Sequence, residues 1–260
     1  MQSAPSGRGQ VQFTSSTPVE PQAGTWRMMC APDSVDYRLP PPPANSSAAT
    51  AAELAELRIL AQNRTAQDVQ QIMRWSLNER SVLAHWETLA NLLAQRYELS
   101  PPAASRINYA LTTAVHGALL AGWKAKYQYL RPRPSALDRR VNPNIIPVPS
   151  HPAYPSGHAL AAGAASTVLT RFFPAEAGVI EALAQDSGMS RLKAGIHYRT
   201  DFTAGMALGR QVAADVIRTM VDRDGGPRAY APRPGTSPLR FREYLLMLDR
   251  VNAISPGSVR

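Results

Sequence analysis

Three short segments, far apart in the sequence, contain most of the residues that could perform chemistry. They read K-x6-R-P, P-S-G-H and S-R-x5-H-x3-D, and they begin at Lys126, Pro155 and Ser190. Together they supply three cations, a hydroxyl and an amide at a predicted helix start, and two histidines, one of them followed by a carboxylate. Such a set of groups is suited to binding a tetrahedral oxyanion while a bond to its central atom is made and broken.

The first segment is the end of a predicted apolar helix followed by a turn with two prolines. A residue before proline is pushed out of the helical region, so Arg131 and Arg133 should lie on extended backbone. A lysine on the helix and an arginine on the turn could then converge on one anion, the first as a point charge and the second as a planar fork. Two registers have this spacing, Lys126 with Arg133 and Lys124 with Arg131. A solvated basic helix end is the alternative to both.

The second segment places a serine, a glycine and a histidine where an alanine-rich helix is predicted to begin. Ser156 and Gly157 would lie at the helix start, where unpaired N–H groups and the positive end of the dipole favour an anion. His158 is placed to protonate a leaving oxygen. The alternative is an ordinary Ser-Gly helix cap with a surface histidine. His151, seven residues before His158, could line the same pocket.

The third segment pairs a histidine with a carboxylate. Asp201 lies four residues after His197 and could accept the hydrogen of Nδ1, which would fix the tautomer and leave Nε2 unprotonated as a nucleophile. Asp201 is also a candidate N-cap of the helix that follows. Arg191 adds a further clamp for an oxygen. The alternative is a His–Asp pair that serves only structure.

Helices must position these segments. Apolar residues recur three or four apart along most of the chain, and no stretch alternates long enough to predict a strand. An all-α helical bundle is therefore expected. The predicted helices span Ala48–Asn63, Ala66–Leu77, Val82–Leu99, Ala103–Lys126, Gly157–Phe173, Ala175–Met189 and Phe202–Val221.

Composition changes along the chain predict three parts. Residues 1–45 are rich in Pro, Ser, Gly and Gln and end in the run Pro40–Pro43, so they are expected to form an extended arm that lies on the domain. Residues 46–224 carry the helical pattern and form the predicted catalytic domain. Residues 225–260 are a Pro- and Arg-rich tail with one short amphipathic piece around Phe241–Val251.

The charge balance narrows the class of partner. A formal charge of +9 and a pI near 10.1 favour anionic partners. A nucleic-acid-binding protein would spread arginines over one face with interleaved aromatic residues. Here the informative cations instead accompany histidines and a carboxylate, which favours a small anionic substrate. Lysine occurs only at Lys124, Lys126 and Lys193, so two lysines in one motif are informative.

The cysteine count and the hydropathy pattern give little information about the cellular compartment. The single cysteine, Cys30, excludes an internal disulfide. No apolar run approaches the roughly 20 residues that would span a bilayer, so no integral membrane segment is expected. The first residues lack an apolar stretch, so no signal peptide is expected there. The oligomeric state is left open.

Taken together, the three segments resemble the signature of the superfamily that joins type 2 phosphatidic acid phosphatases, bacterial class A acid phosphatases and vanadium-dependent haloperoxidases. The resemblance covers roughly residues 46–222. In both branches the motif lysine corresponds to Lys126 and the arginine to Arg133, which selects between the two registers. The resemblance implies a helical bundle and a soluble protein of the periplasm or the cell exterior.

In the phosphatase branch, the resemblance implies a metal-independent phosphomonoester hydrolase without a cofactor. His197 would attack phosphorus to form a phosphohistidine, Asp201 would orient it, and His158 would act as general acid and then as general base. The equatorial oxygens would be bound by Lys126, Arg133, Ser156, the amide of Gly157 and Arg191. The modest length, the RPRP doublet and the absence of long insertions favour this branch.

The haloperoxidase branch is the alternative. In that branch the same pocket would bind vanadate through His197 and oxidise halide with hydrogen peroxide. Trp123 and His151 occupy positions where haloperoxidases often carry residues of the halide pocket. Both could equally be packing partners, since a tryptophan on an apolar helix usually belongs to the core.

Overall fold

Helices make up the regular secondary structure of this protein. The structure, a computed structural model, describes residues 11–28, 36–76, 82–141 and 143–254, and no strand occurs within these ranges. The all-α prediction is therefore confirmed. The α-helices are α1 (Ala48–Gln62), α2 (Ala66–Arg74), α3 (Ala84–Arg96), α4 (Pro101–Tyr129), α5 (Pro134–Leu137), α6 (Gly157–Phe172), α7 (Ala177–Lys193), α8 (Arg199–Val216) and α9 (Phe241–Ile254).

Helix α6 lies at the centre of the bundle and packs against α4, α7 and α8. It consists largely of alanine and glycine, and it is buried on nearly every side, as expected of a central helix. Helix α8 approaches it very closely. A Cβ at Gly163 would lie 2.4 Å from the carbonyl oxygen of Met206, and one at Gly209 would lie 2.2 Å from that of Leu160. This contact holds together the two helices that begin at the second and third motif segments.

Several helix ends differ from the predicted ones. Helix α3 ends at Arg96 and α8 at Val216, rather than at the predicted Leu99 and Val221. Helix α4 continues to Tyr129, and Leu130, with φ of 48°, ends it. Helix α7 runs on to Lys193, so Arg191 lies on a helix rather than after one. Helix α2 ends at Arg74, and the predicted end at Leu77 lies outside the described residues.

The start of α8 also differs, and the prediction that Asp201 is an N-cap is wrong. Helix α8 begins at Arg199, and Tyr198 is its N-cap. Asp201 lies in the first turn, where its Oδ2 accepts the N–H of Tyr198 at 3.0 Å. A carboxylate at the third helical position reaches back to the N-cap in this way. The partner of His197 therefore has a structural hydrogen bond of its own.

One described part of the arm, residues 11–28, contacts the end of α4 and the loop before α6. The N–H of Phe13 donates to the carbonyl oxygen of Leu130 at 2.9 Å, and the N–H of Val19 donates to that of Ser150 at 3.1 Å. The arm is thus tied to both loops that carry the first and second motif segments.

The tail contributes helix α9. Tyr244 and Leu248 of α9 are buried, and the hydroxyl of Tyr244 donates to the carbonyl oxygen of His85 at 2.7 Å. Among the described residues, no helix is long and apolar enough to cross a membrane. Cys30 lies outside the described residues, and the division into three parts stays a prediction.

Candidate active site

His197 lies in the short connection between α7 and α8, and its side chain is almost wholly buried. Gly195, with φ of 73°, turns the chain after α7. The Nδ1 of His197 lies 3.1 Å from Oδ2 of Asp201, and its Nε2 lies 3.0 Å from Nη1 of Arg133. The first and third motif segments therefore meet at one imidazole ring.

The partners of the His197 ring define its tautomer. An arginine side chain carries only donors, so Nε2 is the acceptor toward Arg133, and Nδ1 carries the hydrogen that it donates to Asp201. Burial, together with the positive charges of Arg133 and Lys126, lowers the pKa of His197 well below its ordinary value. The ring is neutral near pH 7, and its unprotonated Nε2 lies in a positive environment. These are the properties of a nucleophile or of a ligand for an oxyanion.

The carboxylate of Asp201 is fully buried, and both of its oxygens have hydrogen-bond donors. Oδ2 accepts from His197 and Tyr198, and Oδ1 accepts from Nη1 of Arg131 at 2.7 Å. Burial raises the pKa of Asp201, whereas Arg131 and the Tyr198 N–H act against that effect. The arginine partner and the two further donors favour the charged form of the carboxylate. Its fixed orientation in turn fixes the His197 ring.

Arg133 is the cation in direct contact with His197. Its Nη1 also donates to the carbonyl oxygen of Ile196 at 2.8 Å. Its Nε and Nη2 donate to the carbonyl oxygen of His151 at 3.1 and 2.9 Å, and Nη2 lies 3.2 Å from Nδ1 of the same residue. Burial lowers the pKa of Arg133 to about 10, which leaves it charged at neutral pH. The guanidinium is thus held rigidly beside Nε2 of His197.

The two lysines of the first segment lie in different environments. Lys126 is fully buried, and its ammonium group donates to three carbonyl oxygens of the loop 152–155, at 2.7 Å for Pro152. Lys124 is 56% exposed and forms an ion pair with Asp36 at 2.8 Å. Only Lys126 therefore lies inside the protein with the motif residues.

The two arginines of the turn differ as well. Arg133 contacts His197, whereas Arg131 contacts Asp201 from the other side of the carboxylate. Burial and the charge of Arg133 lower the pKa of Lys126, and its three carbonyl acceptors favour the ammonium form. The structure brings together Lys126, Arg133 and His197, and it separates Lys124 from them.

The second motif segment begins α6 beside the start of α8. Ser156 is the N-cap of α6, and its Oγ faces the N–H of Ala159 at 3.5 Å. Its own N–H donates to the carbonyl oxygen of Asp201 at 2.9 Å. Gly157 is the first residue of α6 and is buried. The positive ends of two helix dipoles therefore lie close to His197.

His158 and Arg191 are both held by residues 72–76, at the end of α2 and just after it. The Nε2 of His158 donates to the carbonyl oxygen of Trp75 at 2.9 Å, so Nδ1 is the acceptor in its neutral ring. The Nη2 of Arg191 donates to the carbonyl oxygen of Ile72 at 2.8 Å and to Oγ of Ser76 at 2.9 Å. Burial and the charge of Arg191 lower the pKa of His158 well below its ordinary value. The charge of Arg191 also lowers the pKa of His197, so Arg191 belongs to the same group.

Trp123 and His151 form an aromatic pair beside the cations. Their ring centroids lie 5.0 Å apart with an interplanar angle of 39°, and Nζ of Lys126 lies 5.4 Å from the Trp123 ring. Burial, with the charges of Lys126 and Arg133, lowers the pKa of His151, so this ring is neutral too. The Nε1 of Trp123 donates to the carbonyl oxygen of Val19 in the arm at 3.3 Å.

A comparison with known families supports the resemblance. The sequence profile of the PAP2 superfamily matches residues 106–224, a range that contains all three motif segments. This range is just under half of the chain. The match confirms the resemblance to this superfamily, whose members include phosphatases and haloperoxidases.

Similar proteins include haloperoxidases. A vanadium-dependent bromoperoxidase of Corallina officinalis is 31% identical over 96 residues, which cover 26% of this chain and 16% of that protein. A bacterial vanadium-dependent iodoperoxidase superposes with a TM-score of 0.71 at 23% identity, over 84% of this chain and 62% of the other. A bacterial vanadium-dependent chloroperoxidase superposes with a TM-score of 0.68 at 18% identity, over 83% and 56%. The chain therefore spans less than two thirds of each of these proteins, and the structural likeness concerns the fold.

Several residues that build this site are not predicted by the motifs. The sequence places Arg131 only in a second anion-binding register, yet Arg131 holds Asp201. Glu53 contacts Arg131 from α1, and Ser76 contacts Arg191. The RPRP doublet was a signal for Arg131, because both arginines precede a proline. Glu53 and Ser76 lie outside every motif, so the sequence offered no signal for them. Within the described ranges, no group of three or more His, Cys, Asp or Glu residues could hold a metal ion.

The buried histidines predict that the folded protein loses stability in acid. His85 and His197 are almost fully buried, and burial lowers the pKa of each below the ordinary value of 6.5. Below that pH the unfolded chain takes up protons that the fold does not, so stability present above pH 6.5 is lost as pH falls. Each histidine should contribute a loss of roughly 1.4 kcal/mol per pH unit until its own folded pKa is reached.

The expected result is a fall in Tm between pH 7 and pH 5, before most carboxylates titrate, measured by differential scanning calorimetry. His85 donates to the carbonyl oxygen of Arg74 and lies outside the three motif segments, so His85→Gln should reduce the slope of Tm against pH by the contribution of one histidine. A Tm that stays constant over this interval would contradict the assignment of neutral buried histidines.

Proposed function

We propose that this protein hydrolyses phosphomonoesters through a covalent phosphohistidine at His197. The observation that carries the proposal is the arrangement of the His197 ring, with Nδ1–H on Asp201 and the Nε2 lone pair beside the guanidinium of Arg133. This arrangement supports attack by Nε2 on a phosphorus atom whose oxygens are neutralised by adjacent cations. The proposed substrate is a small anionic ester.

In the first step, Nε2 of His197 would form a bond to phosphorus as the bond to the ester oxygen breaks. The leaving alkoxide would take a proton from the imidazolium of His158. The charge that develops on the equatorial oxygens would be neutralised by Lys126, Arg133 and Arg191, together with Ser156 and the Gly157 amide. The side chains of Lys126, Arg133 and Arg191 are held in place by hydrogen bonds to backbone carbonyl oxygens, which the phosphate oxygens would replace.

In the second step, His158 would take a proton from water. The resulting hydroxide attacks phosphorus, the P–N bond breaks and inorganic phosphate leaves with the Nε2 lone pair restored. In the structure, the Nε2–H of His158 donates to the carbonyl oxygen of Trp75. Its role as an acid therefore requires a second proton, on Nδ1, which is the proton given to the leaving oxygen. A bound phosphate dianion would favour the protonated ring, because its negative charge opposes the effect of burial.

A second candidate function is vanadate-dependent oxidation of halide by hydrogen peroxide. It is favoured by the contact between Trp123 and His151 beside Arg133, at positions where haloperoxidases often carry halide-pocket residues, and by the haloperoxidases among the similar proteins. The residues fit vanadate. Nε2 of His197 would hold it, and Lys126, Arg133 and Arg191 would neutralise its oxygens. When bound, vanadate would supply the activation of peroxide toward halide.

A side-by-side assay on the purified protein tests the proposal. Hydrolysis of p-nitrophenyl phosphate should proceed in the presence of a chelator and should be inhibited competitively by vanadate. Bromination of an indicator dye is measured in parallel with vanadate, bromide and hydrogen peroxide. Vanadate-dependent bromination without any ester hydrolysis would overturn the phosphohydrolase assignment and establish the second candidate in its place.

A further inference from the structure

A buried ion network connects α1 to the carboxylate that orients His197. Glu53 of α1 is 8% exposed, and its Oε2 accepts from Nη2 of Arg131 at 2.7 Å. Nη1 of Arg131 donates to Oδ1 of Asp201 at 2.7 Å and to Oγ1 of Thr200 at 2.6 Å. The guanidinium carbon of Arg131 lies 3.8 Å from the centre of the Tyr198 ring, which covers one of its faces.

Glu53 also binds the first turn of α8 directly. Its Oε1 accepts the N–H of Thr200 at 2.6 Å and the hydroxyl of the same residue at 2.7 Å. Thr200 is the residue immediately before Asp201. The same carboxylate therefore holds both the backbone that carries Asp201 and the guanidinium that Asp201 contacts. None of the three motif segments includes Glu53.

We infer that Glu53, acting through Arg131, is a positioning residue that holds the Asp201–His197 pair in its reactive orientation. The catalytic part of this inference rests on the proposed function, whereas the positioning of Asp201 and His197 depends only on the fold. Arg131 has two carboxylate partners, so its guanidinium plane is fixed from both ends. That plane fixes Oδ1 of Asp201, and the opposite oxygen of the same carboxylate fixes Nδ1–H of His197.

The free-energy cost of burying charges indicates that Glu53, Arg131 and Asp201 act together rather than as separate contacts. Arg131 and Asp201 are almost wholly buried, and removal of one member of such a group leaves an uncompensated charge. Without the Glu53 carboxylate, Arg131 would keep its contact with Asp201 but lose the partner that sets its direction. The expected consequence is a loosened Asp201 carboxylate and a His197 ring that samples wrong orientations.

The test compares Glu53→Gln with Glu56→Gln. Glu56 lies almost one turn further along the same helix and pairs with Arg199 of α8, but its side chain is 34% exposed. It is therefore a matched control for loss of an α1–α8 ion pair. Glu53→Gln should lower kcat by about 10- to 100-fold with little change in KM, whereas Glu56→Gln should change kcat by less than about 2-fold.

A second readout does not depend on activity. Nitrogen-15 NMR of histidine-labelled protein, with the His197 signal assigned by its loss in His197→Gln, reports the Nδ1–H tautomer of this ring. Glu53→Gln should shift or broaden the Nδ1–H signal, and Glu56→Gln should leave it unchanged. An unchanged His197 signal in folded Glu53→Gln would overturn the inference, even if the wild-type protein proved to be a haloperoxidase.

A conservative variant and a double variant complete the design. If Glu53→Gln does not fold, Glu53→Asp retains the charge on a shorter side chain and should produce the same NMR shift with a smaller loss of kcat. If Glu53 acts through Arg131, the double variant Glu53→Gln/Arg131→Lys should lose no more kcat than Arg131→Lys alone. Additive losses would show that Glu53 does not act through Arg131.

Discussion

Replacement of His197 with Gln is expected to reduce the turnover of p-nitrophenyl phosphate by at least about 10⁴-fold. The glutamine side chain is polar and of similar size, so the buried site should still form. It has no imidazole Nε2, and therefore it can form neither the P–N bond of the proposed intermediate nor a bond to vanadate. The measurement is steady-state kinetics on protein shown by calorimetry to be folded.

The same variant should also lose tight binding of vanadate, measured by isothermal titration. This second result matters because both candidate functions use the same nitrogen atom. His116→Gln is the control, since His116 lies on the exposed side of α4 and should retain full activity. If His197→Gln kept more than a tenth of the wild-type turnover, His197 would not be the nucleophile.

The helices and the family could be predicted because their signals are local. The spacing of apolar residues locates most helices within a few residues. Each of the three motif segments can be recognised from its own short sequence. The end of α4 shows where this reasoning stops. The helix continues past Lys126 to Tyr129 because the first proline comes only at Pro132, and nothing in the local pattern demanded an earlier end.

The candidate site was only partly predictable, because a pairing between distant helices leaves no local pattern. Arg131 and Arg133 have the same sequence environment, yet one faces Asp201 and the other faces His197. Arg131, which faces Asp201, also contacts Glu53, a residue 78 positions away in the sequence. The contact between Lys126 and the loop 152–155 could not be predicted either. Its acceptors are backbone carbonyl oxygens, which no sequence motif specifies.

The buried cations of the site already have hydrogen-bond acceptors in the protein. Lys126 and Arg133 are satisfied by backbone carbonyl oxygens. An anion that enters would have to compete with these acceptors for the same N–H groups. A doubly charged oxyanion is favoured in that competition, because hydrogen bonds between ionised partners are stronger than those to neutral carbonyls. Selection for a highly charged tetrahedral anion would follow from this exchange.

Lys126 provides the sharpest test of that exchange, because Lys124 is a matched control on the same helix. Lys126→Gln keeps N–H donors for the carbonyl oxygens of the loop 152–155 but removes the positive charge. We expect it to lower kcat/KM by about 10²- to 10³-fold, as for the loss of a fixed group that stabilises transition-state charge. Lys124→Gln breaks only an exposed ion pair with Asp36, so its effect should be less than about 2-fold.

The comparison between the two lysine variants separates catalysis from stability. Lys126→Gln should lower Tm because a neutral amide serves three carbonyl acceptors less well than an ammonium group, so kinetics must be measured well below the Tm of that variant. If charge at this position stabilises the bound oxyanion, vanadate affinity will fall in parallel with kcat/KM. Equal losses in the Lys124 and Lys126 variants, or a larger loss at Lys124, would instead assign the motif to the Lys124–Arg131 register. The buried ammonium of Lys126 would then have a purely structural role in holding the loop that precedes α6.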